Sequence, residues 1–293
     1  MRPILFEIGP ITLYSYGLMI ALAFLAGYWV LIQEHKRLQL DTKRAGSLLV
    51  IALLSGFAGA KLLFLIGEWS RFTEDPIHMI FSPAGLTWYG GLIVAFTAVY
   101  YYLRKNNLPI GKYFDMGGLA LSLGYPVGRL ACQLAGDGTY GTPTNLPWGT
   151  IFANGTHKPT QALSDYFSRN PDKADLWNYN ELSSIVVGND RFGSITAFDI
   201  SVAMHPAALY TFIAGIIVFA FLWGYRKRFR PTGMLFSTAI VLMTIQRFLI
   251  ETIRLNPRIL FNLTEAQIIS LLLGVAGIIA IIVLKKYNQQ YKR

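Results

Sequence analysis

The side chain that says most about function in this sequence is Arg129, which has apolar neighbours over roughly the thickness of a membrane. A charged residue at the centre of a membrane segment costs about 2.5–3.5 kcal/mol on insertion scales, so it is by default a candidate functional residue. Cys132, Gln133 and Asp137 follow it and lead into a glycine-rich turn. The stretch 124–141 is therefore the predicted centre of a site. The alternative is an arginine that only pairs with an acidic side chain to hold two helices together.

A second group of charges lies further along the chain. Arg247, Glu251 and Arg254 are spaced four and three residues apart, so a helix places them on one face. A planar guanidinium matches the oxygens of a phosphate, and Glu251 would orient it, although a purely structural salt bridge is the alternative. Lys61 adds a cation inside another apolar run and needs an anionic or water partner. Asp137 and Glu251 cannot neutralise all these cations, and a phospholipid headgroup is the simplest missing anion.

Other candidate residues lie near the ends of apolar runs. Tyr16 precedes a glycine that permits close helix approach, and Tyr89 lies at the outer edge of a run. Gly90 and Gly91 would let a headgroup or another helix come close to the backbone. His205 is the candidate that titrates nearest neutral pH, although a lone interfacial histidine is more often structural. No metal-ligand cluster, phosphate-binding loop or nucleic-acid module is recognisable, so we expect no metal, no cofactor and no nucleic-acid partner.

These side chains require a scaffold that crosses the lipid bilayer. The 293 residues are 53% hydrophobic and only 14% charged, whereas soluble domains carry about 25% charged residues. About 20 apolar residues cross a bilayer, and the pattern predicts an all-α integral membrane protein with about seven transmembrane helices. The predicted spans are 12–32, 47–66, 87–103, 113–135, 206–225, 232–250 and 266–284. A single cysteine excludes an internal disulfide framework.

The lysines and arginines of the loops predict the orientation in the membrane. They concentrate after spans one, three and five and in the C-terminal tail. This bias places the N-terminus in the periplasm and the C-terminus in the cytoplasm. The chain 1–293 is then a single transmembrane domain with a periplasmic head insertion, 136–204, between spans four and five. The aromatic content of this head predicts an ordered region that receives a large partner or caps the spans.

The ordered series of short motifs resembles the prolipoprotein diacylglyceryl transferase family over nearly the whole chain. The motifs are Tyr-Gly-Leu-Met at 16–19, a small-residue turn with a cation at 59–61, Gly-Gly-Leu-Ile at 90–93, Gly-Arg at 128–129, His-Pro-x-x-Leu-Tyr at 205–210, Arg-Pro-x-Gly at 230–233 and Arg-x-x-x-Glu at 247–251. The resemblance implies a multi-pass enzyme of the bacterial inner membrane. Such an enzyme moves the diacylglyceryl group of phosphatidylglycerol onto the lipobox cysteine thiol of a prolipoprotein signal peptide, and glycerol phosphate leaves.

The resemblance also implies roles for particular residues. Arg129 and Arg247 match the arginines that hold the phosphate and stabilise its departing charge. Tyr16 matches a functional tyrosine, and Glu251 matches the acid that orients an arginine. Tyr89 stands where the family has a histidine, a candidate base for the thiol. The residues predicted to bind phosphatidylglycerol are Arg129, Arg247, Lys61, Asp137, Cys132, Gln133, Gly90, Gly91, His205 and Arg254.

The sequence departs from the family pattern at positions that matter for chemistry. A tyrosine at position 89 is a poor base at neutral pH unless nearby cations depress its pKa. Cys132 replaces an asparagine, and Asp137 replaces a glutamate. Two alternatives therefore stay open: a divergent relative that uses the lipid with another acceptor, and a non-catalytic lipid-binding or transport protein. A transporter would usually show an internal repeat with broken helices, and none is recognisable.

Overall fold

The computed structural model describes residues 1–9, 11–82, 85 and 87–290, and most of them are helical. The elements follow in the order β1 (Ile4–Ile8), β2 (Ile11–Tyr14), α1 (Ser15–Arg37), α2 (Lys43–Gly67), α3 (Trp69–Glu74), α4 (Pro76–Phe81), α5 (Trp88–Lys105), α6 (Ile110–Ala135), α7 (Pro159–Ser168), α8 (Pro171–Leu176), α9 (Tyr179–Ser184), β3 (Val186–Asp190), β4 (Gly193–Thr196), α10 (Ala197–Ser201), α11 (Ala207–Tyr225), α12 (Met234–Glu251), β5 (Arg258–Leu260), β6 (Leu263–Thr264) and α13 (Glu265–Gln290).

The long helices coincide with the predicted spans. Among the described residues, α1, α2, α11, α12 and α13 are the five helices that are long and apolar enough to cross a membrane. Helices α5 and α6 occupy the third and fourth predicted spans, but they do not reach the same combination of length and apolar composition. The prediction of an all-α membrane protein is confirmed at this level.

The start of the first span differs from the prediction. Residues 12–14 belong to strand β2, which pairs antiparallel with β1, so the helix begins only at Ser15. Both the backbone N–H and the hydroxyl of Ser15 donate to the Pro3 carbonyl, at 2.8 and 3.2 Å. Hydropathy did not reveal this hairpin because its apolar strands continue the apolar run of the helix. Two further hairpins, β3–β4 and β5–β6, are likewise absent from the predicted pattern.

The chain forms two compact units, and α1 and α6 contribute residues to both. The second unit, Tyr28–Gly117, is built on the packing of α2 against α5. Glycines bring these two backbones into direct contact: a Cβ on Gly90 would overlap the carbonyl oxygen of Gly59, and a Cβ on Gly91 would lie 3.0 Å from that of Gly56. Small residues at such spacings are what close helix packing in membranes requires.

The first unit contains Met1–Gly27 and Gly118–Arg293. Its helix α12 packs against α13 and α11. The insertion 136–204 has an apolar core of its own, which includes buried Tyr140, Phe152 and Phe198. The ammonium of Lys158 is buried in the same region and lies 2.6 Å from Oδ2 of Asp190. This region is therefore an ordered part of the structure and not a loose loop.

Candidate active site

Arg129 lies in the last two turns of α6, and two side chains of the same helix hold its guanidinium. Nη2 donates to the Tyr125 hydroxyl at 3.1 Å, and Nη1 lies 3.8 Å from the Cys132 sulfur. The guanidinium also stands 5.0 Å from the centroid of the Tyr125 ring, which is a cation–π contact. Across the part of the chain that the structure describes, no carboxylate pairs with Arg129. Its positive charge is therefore available to an anion.

Small residues set the position of this part of α6. A Cβ on Gly215 of α11 would lie 2.6 Å from the Cβ of Pro126, so only glycine permits this contact. On the α1 side, Gly124 packs against the carbonyl oxygen of Ala23. The same approach brings Tyr16 of α1 within electrostatic range of Arg129, Cys132 and Asp137. The predicted Tyr16 and the predicted arginine thus interact electrostatically in the same part of the structure.

The second group of charges is organised around the carboxylate of Glu251, which is fully buried at the end of α12. Its Oε2 lies 2.9 Å from Nη2 of Arg247 and 3.4 Å from Nη1 of Arg254. Its Oε1 accepts hydrogen bonds from the Asn256 amide and, at 3.2 Å, from the Thr264 hydroxyl. The i, i+4 and i, i+3 spacing predicted the two ion pairs, and the structure contains both.

Thr264 is held in place by the start of the next helix. Its hydroxyl accepts from the backbone N–H of Gln267, and Oε1 of Gln267 accepts from the backbone N–H of Thr264. This reciprocal pair is a capping box for α13. Glu251 is therefore bound by groups from α12, from the loop after it and from the entry of α13. Such a carboxylate can keep both of its arginines in fixed orientations.

The guanidiniums of the two groups lie near each other. Arg254 is within electrostatic range of both Arg247 and Arg129. Burial lowers the pKa of Arg254, and the neighbouring charge of Arg247 lowers it further. The three guanidiniums are accompanied by two carboxylates, those of Glu251 and Asp137, so the cluster carries an excess of positive charge. A partly buried excess of positive charge favours binding of a phosphate or another anion.

Several buried polar atoms of the cluster have no hydrogen-bond partner among the described residues. They are Nε of Arg254, Oε1 of Gln133 and Oδ1 of Asp137. Buried polar atoms in folded proteins are nearly always bonded. The N–H at Nε of Arg254 can donate a hydrogen bond to an oxyanion. The side-chain oxygens of Gln133 and Asp137 can accept a hydrogen bond from a bound N–H or O–H group.

His205 lies next to the cluster, but its hydrogen bonds are made with residues outside it. The backbone N–H of Gly141 donates to the His205 carbonyl at 2.8 Å. The backbone N–H of Thr142 donates to the Ile253 carbonyl at 2.9 Å, so the segment that contains Gly141 and Thr142 is bonded to the residues just after α12. The imidazole Nδ1 lies 3.2 Å from the hydroxyl of Tyr210. Burial lowers the pKa of His205, so the ring is neutral at neutral pH and able to accept a proton.

The other predicted site residues belong to the second unit. Nζ of Lys61 donates to the Ser82 carbonyl at 2.9 Å and stands over the ring of Phe64. Tyr89 is half-buried in the first turn of α5. Gly90 and Gly91 were predicted to allow either a headgroup or another helix to approach the backbone. In the structure both glycines contact α2, so it is another helix that approaches them. Their participation in lipid binding stays a prediction.

Some residues of the cluster were missed at the sequence level. Tyr125 could have been found, because it precedes Arg129 by one helical turn. Asn256 and Thr264 lie outside regular helices, where no periodicity signals a contact with Glu251. The indole of Trp148 donates to the Tyr210 hydroxyl at 2.8 Å, across a long sequence separation that no local pattern indicates.

The long apolar helices and the buried guanidinium cluster define a helical membrane protein with a site suited to an anion. The sequence profile of the family described as prolipoprotein diacylglyceryl transferase matches residues 3–283. The chain belongs to this family of transferases, and the prediction made from its motifs is confirmed.

Three relatives match over nine-tenths or more of their own length. The chain is 26% identical over 279 residues to the phosphatidylglycerol–prolipoprotein diacylglyceryl transferase of Clostridium tetani, covering 95% of this chain and 96% of the relative. It is 27% identical over 290 residues to the protein of the same name from Clostridioides difficile, covering 99% and 98%. It is 28% identical over 288 residues to the protein of the same name from Xylella fastidiosa strain 9a5c, covering 94% of this chain and 90% of the relative.

Proposed function

We propose that this protein transfers the diacylglyceryl group of phosphatidylglycerol to the lipobox cysteine thiol of prolipoprotein signal peptides. The thiolate sulfur attacks the glyceryl carbon that carries the phosphate ester. A carbon–sulfur bond forms, the carbon–oxygen bond breaks, and glycerol phosphate leaves with the electron pair. The nucleophile belongs to the substrate, so the protein has to bind the lipid, stabilise the leaving phosphate and remove the thiol proton.

The observation that carries this proposal is the excess of guanidiniums over carboxylates in a cluster that is partly buried. Arg129 has no carboxylate partner among the described residues, and Nε of Arg254 is unpartnered there. Arg129 and Arg247 hold the phosphate and stabilise the charge that develops on it as the ester bond breaks. Glu251 is a positioning residue, because it orients Arg247 and Arg254. Tyr16 is the remaining residue of the proposed catalytic set, and its electrostatic interaction with Arg129 supports this role.

Two residues are candidates for the proton acceptor. His205 is kept neutral by burial, which lowers its pKa, and a neutral imidazole is a suitable base near neutral pH. Tyr89 takes the position of the family histidine but needs neighbouring cations to act as a base. Lys61, Cys132, Gln133, Asp137, Gly90 and Gly91 remain predicted contributors to the lipid site.

We further propose the topology that this chemistry requires. The long helices form seven spans with the N-terminus in the periplasm and the C-terminus in the cytoplasm of a bacterial inner membrane. The insertion 136–204 is a periplasmic head. The charge distribution of the loops supports this orientation, and it places the guanidinium cluster at the periplasmic side, where signal peptides of exported proteins emerge.

Complementation of a bacterium depleted of its own diacylglyceryl transferase tests the proposal. The mobility of a prolipoprotein on a gel reports the transfer. We expect rescue by the wild-type chain, loss of rescue with Arg129→Ala at equal membrane expression, and retained rescue with the distant exchange Lys173→Ala. Failure of the wild-type chain to rescue, despite good expression, would contradict the proposal and favour another acceptor.

A further inference from the structure

We infer that the hydroxyl of Tyr210 carries the proton from the substrate thiol to His205, and that Trp148 positions this hydroxyl. Tyr210 is then a further catalytic residue, and Trp148 is a positioning residue. The inference rests on the proposed function in one respect, namely that His205 is the base of the transfer reaction. Its structural part, the position of the proton on the imidazole, does not depend on any reaction.

The first step is how the backbone brings the three side chains together. The backbones of Met204 and Thr150 are hydrogen-bonded in both directions, at 2.9 and 3.0 Å. These bonds align the segment that contains Trp148 with the residues that lead into α11. Tyr210 lies in the first turn of α11, five residues after His205. Trp148 and Tyr210 therefore meet although they are 62 residues apart in the sequence.

The second step is the direction of the hydrogen bonds at the Tyr210 hydroxyl. Nε1 of Trp148 can only donate, so the phenol oxygen accepts from it at 2.8 Å. A second contact of 3.2 Å joins this oxygen to Nδ1 of His205. These two are the hydrogen bonds of the hydroxyl among the described residues. The phenol O–H therefore donates to Nδ1, because the opposite direction would leave the single phenol proton without an acceptor there.

The third step is the tautomer that follows. Nδ1 of the neutral His205 ring accepts from Tyr210, so the ring proton is on Nε2. Nε2 forms no hydrogen bond within the described part of the chain. Because it already carries a proton, Nε2 cannot take another from a substrate. Only Nδ1 can take up a proton, and the group bonded to Nδ1 is the Tyr210 hydroxyl.

The proton transfer is balanced as a single exchange. The S–H bond of the substrate breaks and its proton binds the phenol oxygen, while the phenol proton moves to Nδ1. The products are a thiolate, which keeps the electron pair, a neutral Tyr210 and an imidazolium at His205. The indole of Trp148 stays bonded to the same oxygen throughout. Trp148 is 57% exposed and Tyr210 is only partly buried, so a substrate can approach this pair.

The tautomer is tested directly by ¹⁵N NMR of the purified full chain in nanodiscs, with both ring nitrogens of histidine labelled. The chain has four histidines, and the signals of His205 are those that disappear in His205→Gln. Above pH 6.5, where this imidazole is neutral, we expect a protonated Nε2 and an unprotonated, hydrogen-bonded Nδ1. Tyr210→Phe should move the Nδ1 resonance to that of a nitrogen without a donor. A protonated Nδ1 in the wild-type protein would overturn the inference.

The rate of transfer to a lipobox peptide tests the role of the hydroxyl. Tyr210→Phe should lower kcat by about a hundredfold to ten-thousandfold, as for loss of a proton-transfer group, with KM for the peptide unchanged. The double variant with His205→Gln should be no slower than the slower single variant, because the two residues act as a unit. Trp148→Phe should lower kcat by about threefold to tenfold. Tyr166→Phe removes a hydroxyl that accepts from Lys173 and, as the control, should leave kcat unchanged.

A wild-type kcat in Tyr210→Phe would also overturn the inference. So would effects of Tyr210→Phe and His205→Gln that multiply in the double variant, because the two residues would then act independently. Failure of the proposed function has a different signature. The wild-type chain then fails in complementation, whereas the tautomer of His205 and its dependence on Tyr210 are still observed.

Discussion

The carboxylate of Glu251 is completely buried and lies 2.9 Å from the guanidinium of Arg247, one turn earlier on α12. The same carboxylate also pairs with Arg254 and accepts from Asn256 and Thr264. One acidic side chain thus joins two arginines to the entry of α13. The orientation of both guanidiniums depends on it, and this dependence leads to the first prediction.

Glu251→Gln removes the charge and keeps the shape of the side chain. It leaves two guanidiniums without their counter-ion, so we expect the free energy of unfolding to fall by about 3 kcal/mol. Transfer of diacylglyceryl should fall by about a hundredfold, because the arginines lose their fixed positions. Thermal denaturation in detergent and transfer to a lipobox peptide measure the two effects. Glu265→Gln, at an exposed position in the first turn of α13, is the control and should change neither.

The pH dependence of transfer tests the role of His205. Burial lowers the pKa of this imidazole below its ordinary value of 6.5. As the base for the substrate thiol, it is active when neutral, so the rate should be independent of its titration above pH 6.5 and should fall as the pH drops through the lowered value. His205→Gln should reduce the rate on the plateau and abolish this acidic decline.

The same titration affects stability in a defined direction. Because the pKa of His205 is lower in the folded state than in the unfolded chain, its contribution to stability is complete above pH 6.5 and is lost as the pH falls through the folded value. An acidic decline in rate that persists unchanged in His205→Gln would assign the proton transfer to a group other than His205.

The glycine contact between α2 and α5 predicts a large effect from a single methyl group. A Cβ at Gly90 overlaps the carbonyl oxygen of Gly59, and neither backbone can move aside easily. We expect Gly90→Ala to destabilise the packing of these helices by about 1–3 kcal/mol, measured as a lower Tm in detergent. Gly117→Ala is the matched control in α6, because a Cβ there meets no atom within 4 Å. An unchanged Tm for Gly90→Ala would show that the two helices do not pack in this way.

The ion pair between the buried ammonium of Lys158 and the partly buried carboxylate of Asp190 predicts how the insertion 136–204 loses stability. Lys158 also donates to the carbonyl of Ala153, and its ammonium lies 2.6 Å from Asp190. Asp190→Asn leaves the ammonium without a charged partner, and we expect a loss of about 3 kcal/mol. Limited proteolysis of 136–204 at increasing temperature measures it. Asp175→Asn, at an exposed position of α8, is the control.

The pKa of Asp190 supplies a second signature of this pair. Burial alone would raise the pKa of Asp190. The hydrogen bond and the positive charge of Lys158 outweigh this effect, so the pKa of Asp190 lies below its ordinary value of 3.8. The stabilisation is therefore present above pH 3.8 and disappears as the pH falls through the lowered value. A proteolysis profile of Asp190→Asn that equals the wild type at neutral pH would contradict the importance of the pair.

The sequence by itself determined the long helices, the family and the pairing of Glu251 with Arg247 and Arg254. Helical geometry explains this success, because a spacing of three or four residues fixes which side chains share a face. The same rule applies to Arg129 and Tyr125, although that pair was not predicted. Apolar run length likewise located the helices, but it could not separate the strand β2 from the helix that continues it.

Only the tertiary structure decided which distant residues meet. It brought Arg129 of α6 near Arg254, surrounded Glu251 with Asn256 and Thr264, and directed Gly90 against α2. It also left acceptors of Gln133 and Asp137 buried without a partner. None of these relations follows from spacing along one helix. They depend on how helices and loops that are remote in sequence pack together, and that packing is a property of the whole fold.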